Sequence, residues 1–138
     1  MAGYSGTPLG KKLGIKSGCT LTLIGAPPTF RRTLVGLPAG VRVSTRAAGP
    51  SDLTIWFLRA LRQLDAGIAT QAASVSLPGA GLWMAWPKRA SGVKTDVTED
   101  LVRQAGLAHG LVDYKICAID ATWSGLKFAR RKSERGQS

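Results

Sequence analysis

Residues 81–88, GLWMAWPK, are apolar on both faces of the strand they would form. A strand that can show neither face to water belongs in the middle of a sheet covered by helices on both sides, the usual situation of parallel sheets. Neighbouring segments agree. CTLTLIGAP (19–27) and DLTIWFL (52–58) read as further apolar strands, and VRVSTRA (41–47) as a short alternating one. Between them, Leu61, Leu64, Ile68, Ala72 and Val75 recur at helical spacing until Leu77-Pro78-Gly79. Phe30, Leu34 and Leu37 share one face of a shorter helix. A last helix follows Asp96, with Val97, Leu101, Ala105 and Ala108 as its buried stripe and His109-Gly110 as its stop. Asp96 and Glu99 are spaced like a capping box at its start. VDYKICAID and GLKFARRK, joined by ATWS, read as an antiparallel hairpin.

Strands alternating with helices imply right-handed parallel crossovers. The expected fold is α/β and Rossmann-like: a mostly parallel sheet, helices on both faces, and a C-terminal antiparallel β-hairpin. Residues 1–18 form an N-terminal arm with a short helical turn, 19–132 one α/β domain, and 133–138 a polar tail. No apolar run approaches the roughly 20 residues of a membrane span. No secretory leader is visible, so a cytoplasmic location is expected. Cys19 and Cys117 are far apart without CxxC spacing, and fit two reduced thiols.

Charge is the compositional outlier. Nineteen Lys and Arg oppose eight Asp and Glu, a net charge of +11. Before Asp52 the chain has no acid, yet it carries Lys11, Lys12, Lys16, Arg31, Arg32, Arg42 and Arg46. Such an imbalance favours anionic partners.

Three blocks carry a family resemblance: GYSGTPLGKKLGI (3–15), AWPKRASGVKTDVTED (85–100) and IDATWSGLKFARRK (119–132). They resemble a bacterial domain-of-unknown-function family, and the element order is similar to the second half of class I methyltransferases. The resemblance implies a methyltransferase-like fold. S-adenosylmethionine, which that fold implies, is bound elsewhere through a glycine-rich loop and an acid on the second strand. Here IGAPPTF has one glycine, and Ser44-Thr45-Arg46 has no acid. The expectation is therefore a chain without a cofactor, with the methyltransferase as the alternative.

Ligands of open α/β sheets bind at the carboxyl ends of the strands. The loops there carry Arg31 and Arg32, then Arg46, Arg59 and Arg62, then Lys88, Arg89 and Lys94. This basic rim is the candidate site for RNA or a nucleotide. Within it, Lys88, Arg89 and Lys94 supply charge, Ser91 and Thr95 hydroxyls, and Gly92 close backbone approach. The following helix start adds its dipole, though Asp96, Glu99 and Asp100 compete there. Trp86 and Trp123 are candidate stacking surfaces, and Lys127, Arg130, Arg131 and Lys132 could extend the basic surface. The exposed N-terminal arm offers a docking site for a protein partner. His109 suits a helix end, and neither a catalytic constellation nor a metal cluster emerges.

Overall fold

The computed structural model describes residues 9–34, 36–45 and 51–131. Its elements are α1 (Leu9–Leu13), β1 (Thr20–Ile24), α2 (Phe30–Thr33), β2 (Arg42–Ser44), β3 (Leu53–Phe57), α3 (Leu61–Ala73), β4 (Gly81–Pro87), α4 (Glu99–Ala108), β5 (Leu111–Ala118) and β6 (Trp123–Arg130). Six strands form one sheet in the order β2-β1-β3-β4-β6-β5. The first four are parallel. β6 runs antiparallel to both β4 and β5.

Side-chain alternation explains the layers. Leu82, Met84 and Trp86 of β4 point to one face with Trp56, Leu126 and Phe128, and α3 and α4 cover them with Leu64, Ile68, Ala72 and Val102. Trp83 and Ala85 point to the other with Leu21, Leu23, Ile55 and Phe57, under Leu13, Ile15, Phe30 and Leu34. All seven residues of β4 are buried, which is why its sequence does not alternate. The Trp83 indole N–H donates to Leu13 O at 2.9 Å, so α1 is fixed onto the sheet.

Three local expectations need correction. The D-x-x-E spacing does not cap α4. Thr98 is the N-cap, accepting from Leu101 N, and the Asp96 carboxylate instead accepts from Leu61 N at 2.7 Å, at the start of α3. A carboxylate three residues before an acid can turn to any nearby helix start, and α3 supplies one. The buried stripe of α4 runs through Val102 and Gly106, with Leu101 and Ala105 half-buried and Ala108 exposed. A side chain on Gly106 would collide with the Phe128 ring, so glycine sets how closely α4 lies on the sheet. Finally, Trp123 is the first residue of β6 rather than part of the link between the last two strands. The link is turned by Asp120, whose carboxylate accepts from both Thr122 N and Trp123 N at 2.8 Å.

No helix among the described residues is long and apolar enough to cross a membrane. Both cysteines are free thiols, and burial raises the Cys117 thiol above its usual range.

Candidate functional site at the carboxyl ends of the strands

β1 is followed by β2 on one side and flanked by β3 on the other, so the connections leaving β1 and β3 part in opposite directions. That parting opens a crevice where such folds take ligands. β1 leaves it through Gly25, whose φ of +70° suits glycine alone. A Cβ there would stand 3.1 Å from Phe57 O. The Arg59 guanidinium reaches across the crevice, donating to Gly25 O at 2.9 Å and lying 5.1 Å over the Trp123 ring.

Beside the crevice, at the exit of β4, lies a cleft of about 450 Å³. Trp86, Pro87, Arg89, Gly92, Val93 and Lys94 form one wall, and Thr95, Val97, Thr98 and Glu99 close it. The loop is a built object. A 3-10 turn at Arg89–Ser91 ends at Gly92, φ +80°. Ser91 Oγ donates to Lys88 O and accepts from Val93 N, and Thr95 Oγ1 donates to Arg59 O and accepts from Val97 N. Both hydroxyls, expected as ligand partners, are thus engaged in holding the loop. Asp96 ties it to α3. The side chains of Lys88, Arg89 and Lys94 have no hydrogen-bond or ion-pair partner among the described residues. Arg89 and Lys94 are exposed on the cleft, whereas Lys88, half-buried, is outside its wall.

Other expected members fare differently. Trp86 and Trp123 are each only 6% exposed, too little to offer a ring face to a base. Trp86 packs under α3 and α4, and Trp123 meets Phe57 edge-on at 5.0 Å between centroids. Arg32 is exposed on α2. Arg46 and the side chain of Arg31 lie outside the described residues, as do residues 1–8 of the arm and Lys132 with the tail. Arg130 donates to Ala72 O, Val75 O and His109 O, and Arg131 to Leu107 O. These two arginines add charged donors to carbonyls at the ends of α3 and α4, the role cations take at a helix C-terminus. His109 Nδ1 bonds Ala105 O at 3.0 Å at the end of α4. Glu99 is drawn 2.7 Å from Arg103, which Asp113 also engages, so its carboxylate is not a free base. Glu99 and Asp113 together raise the Arg103 pKa. No cluster of metal-ligating side chains occurs among the described residues. Arg59, expected on the basic rim, lies there, and its bond to Gly25 O and its contact with Trp123 are what the sequence did not show.

No family model and no curated protein matches the chain. Solved structures do. A ribosomal protein L11 methylase from Lactobacillus delbrueckii subsp. bulgaricus superposes with TM-score 0.58 at 12% identity, over 88% of this chain and 74% of that one. DhpI in complex with SAH gives 0.60 at 10%, over 91% and 83%. Magnesium protoporphyrin IX methyltransferase (ChlM) from Synechocystis PCC 6803, with bound SAM, gives 0.50 at 9%, over 88% and 74%. At these identities the likeness establishes the fold, and the fold is methyltransferase-like and Rossmann-type. Two of these neighbours were solved with SAM or SAH.

Proposed function

We propose that the crevice between β1 and β3 takes S-adenosylmethionine and that the β4 cleft takes an anionic acceptor, making the chain a methyltransferase with an altered cofactor loop. The supporting observation is the sheet order, whose switch point lies beside a basic cleft, on a fold shared with proteins solved with that cofactor. The residues fit the group by unusual means. Gly25 is exposed and has no side chain, so once Arg59 leaves its carbonyl a ligand can approach the backbone closely. Thr45, exposed after β2, supplies a hydroxyl where an acid would otherwise meet a ribose. Arg59 is exposed and can exchange its single carbonyl bond for the ligand's carboxylate, a stronger charge-assisted partner. The cofactor when bound supplies an activated methyl group. Arg89 and Lys94 orient the acceptor by its negative charge, and proximity is the main contribution left to the protein.

A second reading has its own support. Arg59 bridges Gly25 and Trp123, and no acid stands between residues 1 and 51. On that reading the crevice stays shut and the cleft binds RNA or a nucleotide without catalysis. Calorimetric titration with S-adenosylhomocysteine separates the two. Stoichiometric binding, altered in Arg59→Ala, supports the methyltransferase. No heat with either protein, beside salt-sensitive RNA binding, supports the second reading.

A further inference from the structure

A second pocket, of about 440 Å³, lies at the opposite end of the sheet. Volumes of a few hundred Å³ are typical of small-molecule sites. It is formed by the turn Gly14–Cys19, the amino ends of β3 and β4, the turn at Pro78-Gly79, and two side chains from the hairpin, Tyr114 and Lys127. Tyr114 is the bulged residue between Asp113 and Lys115, and this turns its ring towards Lys127.

Lys127 lies along two glycines, where side chains would push its amine aside. A Cβ on Gly81 would stand 2.9 Å from its Cε, and one on Gly14 would stand 2.6 Å from its Nζ. Its ammonium lies 5.9 Å from the Trp83 ring centre and 5.7 Å from that of Tyr114, with one long contact of 3.4 Å to Leu13 O. Lys16 lines the same pocket. Neither amine has a carboxylate within ion-pair distance among the described residues. Among the described residues Asp52 is the one acid lining the pocket, and its carboxylate accepts from Thr20 N at 2.9 Å. Burial first, and then the charge of Lys16, hold the Lys127 amine below the ordinary lysine range. Two like charges on the pocket wall, one of them half-desolvated, outnumber the single Asp52 carboxylate, and an anion between the amines offsets the excess.

We propose that this pocket is a phosphate site, in which Lys127 and Lys16 together hold the dianionic group of a small phosphate monoester. A phosphate monoester carries about −1.5 to −2 at neutral pH, so it gains more from the two amines than a carboxylate does, with Asp52 as the opposing charge on the wall. The open side of the Tyr114 ring, 58% exposed as a residue, takes the organic part. The site is independent of the carboxyl-end crevice and of any methyl transfer.

The test is amide-resolved NMR titration of the full chain with inorganic phosphate, phenyl phosphate and acetate. The expected result is saturable shifts from both phosphates at residues 14–19, 79–81 and 114, with acetate weaker. Tighter binding of phenyl phosphate identifies an organic ester as the ligand, and equal binding identifies free phosphate. Lys127→Met weakens phosphate by about tenfold or more, the scale of one charge-assisted bond. Lys16→Gln, an exposed change that leaves the fold untouched, weakens it less. Shifts confined to residues 88–95, acetate as tight as phosphate, or unchanged affinity in Lys16→Gln and a folded Lys127→Met would each overturn the proposal.

Discussion

The loop Lys88–Lys94 and the hairpin end Arg130–Arg131 carry similar charge in the sequence and opposite roles in the fold. In the hairpin, Arg130 binds three carbonyls at the ends of α3 and α4 and Arg131 binds another. In the loop, the hydroxyls and Asp96 do the structural work, and three cations are left without a partner among the described residues. A positive charge satisfied inside the fold is unavailable to a ligand. One held without a partner on a rigid loop lowers the cost of binding an anion, because the loop is already ordered.

Substitutions should separate the two regions. Arg130→Ala removes the side-chain donor shared by carbonyls at both helix ends. It should cost about 2–4 kcal/mol in urea denaturation, on the scale of hydrogen bonds to charged groups, while leaving rim binding per folded molecule unchanged. Asp96→Ala removes the cap of α3 and the loop's tether together, costing about 1 kcal/mol and also weakening anion binding without touching a cation. Arg59→Ala gives up an exposed carbonyl bond and a ring contact, about 1 kcal/mol or less, and should change S-adenosylhomocysteine affinity more than stability. Lys88, Arg89 and Lys94 changed together to Ala should shift stability by no more than about 0.5 kcal/mol. The same variant should flatten the salt slope of RNA binding by about 2, at roughly 0.7 per phosphate contact. A triple variant as unstable as Arg130→Ala would erase the distinction.

The sheet was legible because its signals are local. The doubly apolar GLWMAWP demanded a central strand, and alternation with Leu61-to-Val75 periodicity demanded crossovers. What was hidden depends on contacts distant in sequence. Asp96 looks like a cap for the helix beside it and caps one that begins 35 residues earlier. Trp123 sits in a turn-like stretch and is buried by Phe57 across the sheet. Lys127 has the alternation of an exposed strand residue, yet Gly14 in a turn and Gly81 at the start of β4 leave room for it. The site's charge count was visible, but which cations the fold consumes was not.

The most direct measurement is isothermal titration of the full chain with S-adenosylhomocysteine. One-to-one saturable binding that changes in Arg59→Ala and survives the Lys88, Arg89 and Lys94 substitutions is the predicted result. Absence of heat in both the native chain and Arg59→Ala, under conditions where RNA still binds, would contradict the methyltransferase reading and leave the cleft as an anion-binding site alone.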